Sequence, residues 1–214
     1  MTEDNLFAEV QEDLERQKLE ALWKKFGPFI VAAALAIVVA TASTTSYRSW
    51  KAEREQDLTA RLLEASKPDA ASADKIAALQ KFADENQGVT QTDLALLQAG
   101  SLAAEQGDKA KAAGLFDRVA NDGNADPAFR QLGALLSVQT QLDNGDPVAL
   151  AARLAPLTEE KAAWRYSALE TQAYLALRTG DKAKARQIFT DLSQDARTPH
   201  SISTRATDIL RSLD

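Results

Sequence analysis

The stretch Gly107-Asp108-Lys109-Ala110-Lys111-Ala112 recurs letter for letter as Gly180-Asp181-Lys182-Ala183-Lys184-Ala185, 73 positions later. Gly145-Asp146-Pro147 lies between the two, at spacings of 38 and 35. Unrelated alanine-rich helices explain the composition, but not six identical letters at a regular offset; the offset marks a repeated structural unit. From about residue 70 onward the chain reads as short helices joined by Gly-Asp and Asp-Pro turns. Asp126-Pro127 and Asp146-Pro147 signal helix starts, because Asp caps and Pro fits the first helical position. A last helix, roughly 201–213, has an apolar face at Ile202, Ala206, Ile209, Leu210 and Leu213 that would cover the open end of the array.

The spacings bracket the 34-residue period of tetratricopeptide repeats, which these units resemble. With Gly107 as the fifteenth repeat position, Gly100 falls at the eighth, where two helices touch and a small residue is needed. Ala112 and Phe116 then fall at the twentieth and twenty-fourth, and Ala173, Ala185 and Phe189 occupy the same three positions around Gly180. The middle unit is degenerate, with Val138 at the eighth position, so looser packing is expected there. In such arrays the first helix of each pair lines the inner side. The resemblance therefore implies a groove made by Leu94, Leu97, Ser101, Ala104 and Glu105, then by Leu132, Leu135, Gln139, Leu142 and Asp143, then by Ser167, Glu170, Tyr174, Leu177 and Arg178. Its mixed polarity suits an extended or helical peptide. A groove covered by the last helix, with its leucines buried as core, is the competing reading.

Composition narrows the chemistry. The 214 residues hold no cysteine and one histidine, which removes thiol nucleophiles, disulfides, Cys-ligated metal and most general-base constellations. A net charge of −6 argues against capture of nucleic acid. Gly and Pro, 9 and 6 residues, are too few for a turn-dense β fold. His200 stands alone after Pro199, Glu159 and Glu160 read as a solvated face, and no phosphate loop or metal-ligand spacing occurs. The expectation is a non-enzyme without cofactor or metal.

The N-terminal quarter reads differently. Residues 26–47 carry no charge, and 22 residues of helix reach roughly 33 Å, near the hydrocarbon thickness of a bilayer. Trp23 precedes the run, and Tyr47 and Trp50 follow it, as interfacial aromatics do. Ala40-Thr41-Ala42 has the form of a signal-peptidase site, but the tail before it is long and net −3, so an uncleaved anchor is the reading. Four bases on each side of the run leave orientation to the short tail and large C-terminal part, which favour a cytoplasmic tail. The tail's stripe of Leu6, Phe7, Val10, Leu14, Ala21 and Leu22 is either a contact helix for a partner or a lead-in to the span. The expected organisation is a tail over 1–25, a transmembrane helix over 26–47, a juxtamembrane helix over 48–68 and a repeat domain over 69–214. The fold class is all-α: a single transmembrane helix followed by a helix-pair solenoid.

Three segments together resemble a known family: Ala21-Leu22-Trp23-Lys24-Lys25-Phe26-Gly27, Trp164-Arg165-Tyr166-Ser167-Ala168-Leu169-Glu170 and Thr179-Gly180-Asp181-Lys182-Ala183-Lys184-Ala185-Arg186. The chain is similar to the YfgM-type membrane-anchored, tetratricopeptide-like proteins, ancillary subunits of the bacterial Sec translocon, in an alphaproteobacterial-like form. The resemblance implies a single-pass inner-membrane protein with a periplasmic repeat domain. The implied partners are the Sec translocon, a membrane-anchored periplasmic chaperone, exported polypeptides and the lipid bilayer. A coordinator of envelope assembly or cell division, acting through the same repeat surface, is the alternative.

Overall fold

The computed structural model describes residues 24, 41–44, 46–67 and 71–213, and the chain divides into two compact units between Asp57 and Leu58. The described residues of the first unit are helical. Tyr47 and Trp50 pack with ring centroids 6.2 Å apart, the Arg54 guanidinium lies 5.7 Å over the Trp50 ring, and Lys51 pairs with Glu55 at 3.7 Å.

The single transmembrane helix expected over 26–47 is corrected, and with it the bilayer contact and the single-pass inner-membrane placement with a periplasmic domain. Among the described residues no helix is long and apolar enough to cross a membrane. Most of the uncharged run lies outside the described residues. Its described part, 41–44 and 46–47, is exposed and rich in the hydroxyls of Thr41, Ser43, Thr44 and Ser46. The stripe expected in the tail also lies outside the described residues.

The second unit opens with helical residues 58–65 (α1). There follow α2 (Ser72–Glu85), α3 (Thr90–Glu105), α4 (Lys109–Ala120), α5 (Pro127–Thr140), α6 (Pro147–Leu154), a 3-10 turn (Ala155–Thr158), α7 (Arg165–Arg178), α8 (Lys182–Gln194) and α9 (His200–Leu213). The two identical hexapeptides fold identically. Gly107 and Gly180 both adopt φ +81°, a left-handed conformation that costs glycine little. That turn lets the next N–H reach back five residues, Asp108 to the Ala103 carbonyl at 3.0 Å and Asp181 to Ala176 at 2.9 Å, closing α3 and α7. The same aspartates then cap α4 and α8, accepting from the Lys111 and Lys184 N–H groups at 3.0 Å. Asp126 and Asp146 cap α5 and α6, each with Pro in the first turn.

Small-to-large contacts join the paired helices. A Cβ at Gly100 would sit 2.5 Å from the Phe116 ring, so α3 and α4 touch where that residue has no side chain. In the last pair Phe189 is fully buried behind Ala173 and meets Tyr174 edge to face at 5.4 Å. The degenerate middle pair is built from shorter material: α6 has 8 residues before the chain tightens into the 3-10 turn, and Val138 is buried against Leu150 and Leu154.

Polar ties between repeats define two layers. Gln91 donates to Thr59 at 3.4 Å and Ser66 to Gln98 at 2.8 Å, both 32 residues apart, so α1 and α3 run parallel in register. The Ala163 N–H donates to Gln131 at 2.8 Å and Gln139 to Thr171 at 3.0 Å, again 32 apart, aligning α5 with α7. Arg205 reaches back 35 residues to Glu170, aligning α9 with α7. On the other side Arg118 pairs with Asp84 at 2.6 Å, 34 residues apart, and Arg153 pairs with Asp117. Odd-numbered helices thus form one layer, and α2, α4 and α6 lie along the other. The apolar core between them falls into three clusters, one centred on Leu79, Phe82, Leu96 and Phe116, one on Leu135, Leu150 and Leu154, and one on Phe189, Leu192 and Ile202.

Candidate functional site

Of the fifteen residues singled out as groove-lining, thirteen lie on α3, α5 and α7 and two, Leu142 and Asp143, just past α5, and the structure sorts them by their neighbours one repeat away. On α3, Leu94 is 42% exposed and Ser101 and Glu105 are exposed, whereas Leu97 is buried in the first core cluster. The Ser101 hydroxyl is turned onto its own helix, donating to the Leu97 carbonyl at 3.0 Å. On α5, Leu135 is buried, Leu132 is half-buried against the first cluster, and Gln139 is exposed while its amide reaches Thr171. Asp143, just past α5, is exposed and accepts from Lys109 Nζ at 2.6 Å. That hydrogen bond, and then the Lys109 charge, hold its carboxyl below the usual carboxylate range.

The third pair is occupied rather than open. Glu170 is buried and receives both Nε and Nη2 of Arg205 at 2.7 Å, a bidentate clasp from α9. The same bond keeps the Arg205 guanidinium more firmly protonated than usual. Tyr174 is half-buried; burial first, then the Glu170 charge, raise its phenol above the ordinary value, with Arg205 partly offsetting them. Arg178 is exposed at its helix end, and its guanidinium donates to the carbonyls of Leu142 and Gly145 one repeat back. The last helix therefore covers Glu170 and Tyr174 of the third pair, while Leu97 and Leu135 are buried within the stack itself.

Reading by repeat position missed three features. Leu63, on α1, is 67% exposed and lies between the same two ties, at Thr59–Gln91 and Ser66–Gln98, that bracket Leu94. Trp164, 36% exposed, anchors the start of α7 by donating from its indole to the Ala128 carbonyl at 2.8 Å. Asp93 is 3% exposed, and its Oδ1 is buried without a hydrogen-bond partner. Burial, and then the charge of Asp122, push its carboxyl up to about 6. Leucine at an outward helix position was a readable signal for Leu63; nothing in the local sequence distinguishes Asp93 from a surface aspartate.

His200 opens α9 and is exposed, its carbonyl accepting from Thr204 at 2.9 Å. Glu160 is exposed and pairs with Arg197 at 3.6 Å. Among the described residues no group of three His, Cys, Asp or Glu side chains is placed to hold a metal ion. What the layer offers is a face with two exposed leucines beside hydroxyl, amide and carboxylate groups.

A family model described as a tetratricopeptide repeat-like domain matches residues 20–207. No curated protein and no solved structure matches the chain.

Proposed function

The chain belongs to the tetratricopeptide repeat-like domain family, and we propose that it holds a partner polypeptide on the open part of its odd-helix layer. Domains of this family are in general protein-binding scaffolds rather than catalysts. The observation that carries the proposal is the contrast along one layer. Leu94, Ser101, Glu105, Gln139 and Asp143 face solvent, whereas Glu170 and Tyr174 are covered by α9. The exposed Leu63 and Leu94 supply apolar anchors, and Glu105, Gln139 and Asp143 supply polar groups that fix register.

The finer reading rests on the likeness of Ala21–Gly27, Trp164–Glu170 and Thr179–Arg186 to the YfgM-type family. On that reading the partners are the Sec translocon and a chaperone that receives exported chains. Photo-crosslinking residues introduced at Leu94 and Gln139 test both levels, with Val148, 77% exposed on α6 of the opposite layer, as control. The expected result is protein adducts from 94 and 139 and none from 148, containing translocon or chaperone subunits. Equal adducts from all three positions would remove the assigned surface; adducts from 94 and 139 holding only unrelated proteins would remove the finer reading.

A further inference from the structure

The 73-residue repeat extends well beyond the hexapeptide. Helix α4 begins at Lys109 and α8 at Lys182, and α5 spans Pro127–Thr140 where α9 spans His200–Leu213, so both ends of α9 fall 73 residues after those of α5. Equivalent positions in α4–α5 and α8–α9 can therefore be compared one for one.

In the C-terminal copy, Arg186 on α8 reaches the end of α9 and donates from Nη2 to the Leu213 carbonyl at 2.5 Å. A guanidinium there meets the last carbonyls of a helix, where the partial negative end of the dipole favours a cation. In the N-terminal copy the counterparts of Arg186 and Leu213 are Ala113 and Thr140. Both line a cleft of about 510 Å³ between α4 and the turn after α5, together with Gly114, Asp117, Gln141 and Asn144. A side chain that fills this place in one copy is replaced by a methyl group in the other.

Arg178 takes the Leu142 and Gly145 carbonyls of the turn after α5, which leaves the Thr140 carbonyl and the Asp117 carboxylate as the acceptors for a further cation. The N–H groups of Leu142, Asn144 and Gly145 turn to the Gln139 and Gln141 carbonyls, and none of them takes that of Thr140, the counterpart of Leu213. Asp117 lines the cleft and pairs with Arg153; its carboxylate has lone pairs for further donors. A Cβ at Gly114 would meet nothing within 4 Å, so the approach is open. Lys109 at the cleft's edge is neutralised by Asp143 at 2.6 Å. Its counterpart Lys182 precedes Arg186 by the same four positions, so a second cation is tolerated beside that lysine.

We propose that the α4–α5 cleft receives an arginine side chain from a partner polypeptide, seated as Arg186 is seated in the chain's own second copy. This rests on the protein-binding reading, but it assigns a second contact, away from the odd-helix face. The planar guanidinium, with five donors, suits a site that offers a helix-end carbonyl on one side and a carboxylate on the other.

The test uses the full-length, isotope-labelled chain and N-acetyl-arginine methylamide as probe, read by amide chemical shifts. The expected result is a saturable shift confined to the amides around Gly114, Thr140 and Asn144. It is lost in Ala113→Arg, which supplies the guanidinium in cis, and in Gly114→Gln, which installs the counterpart residue Gln187. Should Ala113→Arg fail to fold, Gly114→Gln decides alone. No saturable shift, or equal shifts in the variants, overturns the proposal; equal saturation by the lysine analogue overturns the assignment to arginine. Arginine saturation without crosslinks from Leu94 and Gln139 would remove the face and leave the cleft, and the reverse outcome would remove the cleft alone.

Discussion

Asp93→Asn separates one buried charge from everything else in the stack. In the folded chain the Asp93 carboxyl sits near 6 against an ordinary 3.8, because burial and then the Asp122 charge disfavour its ionised form. Between those two values the folded state holds a proton that the unfolded state has released. Stability therefore falls as pH rises through that window, and the whole penalty is present at neutral pH. About two units at about 1.4 kcal/mol each make the penalty about 3 kcal/mol.

Other carboxylates slope the other way. Asp143 and Asp195 are depressed by Lys109 and Arg197, so their contributions are present at neutral pH and lost on acidification through their lowered values. Wild-type stability alone would mix the two trends. The difference between wild type and Asp93→Asn cancels every group that does not interact with Asp93. Urea unfolding at a series of pH values should show the variant's relative advantage growing by about 2.5 kcal/mol between pH 4 and pH 7.5, with unchanged denaturant slopes. The asparagine amide adds donors of its own, which shifts the whole difference by a constant and leaves its pH dependence intact. A difference that stays flat across that range would refute the claim that Asp93 is buried and repelled.

Gly100→Ala places a methyl 2.5 Å from the Phe116 ring and should cost about 1–3 kcal/mol, with Phe116→Leu recovering part of it in a double-mutant cycle by urea unfolding. Asp108→Ala and Asp181→Ala each remove a helix cap bonded at 3.0 Å and should each cost about 1 kcal/mol; because the two turns are geometrically alike, thermal melts should show losses of similar size. Arg205→Ala leaves the buried Glu170 carboxylate without its clasp. With Arg205 half exposed, the expected loss is about 1–2 kcal/mol at pH 7, and most of it should disappear in a Glu170→Gln background.

The parts of the fold legible in the sequence are those whose causes lie within one repeat. The Gly-Asp turn, the Asp caps and the Gly100–Phe116 contact each need residues no more than sixteen positions apart, so the hexapeptide and its flanks sufficed to place them. The Asp-Pro starts of α5 and α6 were readable for the same reason. The uncharged run before Arg48 looked decisive because absence of charge is easy to see, but its described end is a string of exposed hydroxyls.

Causes one repeat away were not legible. Leu94, Leu97, Leu132 and Leu135 are all leucines on the same layer, and repeat position treated them alike. Yet Leu97 and Leu135 are core, and Leu94 is open, because burial there depends on helices some 32–36 residues distant. Glu170 gave no sign of its partner until α9 brought Arg205 onto it. The exchange of Arg186 for Ala113 carries the same lesson further. The sequences of the two copies show that exchange plainly, but its meaning lies in where the long side chain ends. Only the Leu213 carbonyl beneath Arg186 turns a missing side chain at Ala113 into a place for someone else's. Divergence between copies points to the proposed seat because the larger side chain is committed to a contact in one copy, while the counterpart carbonyl of Thr140 takes no donor among the described residues.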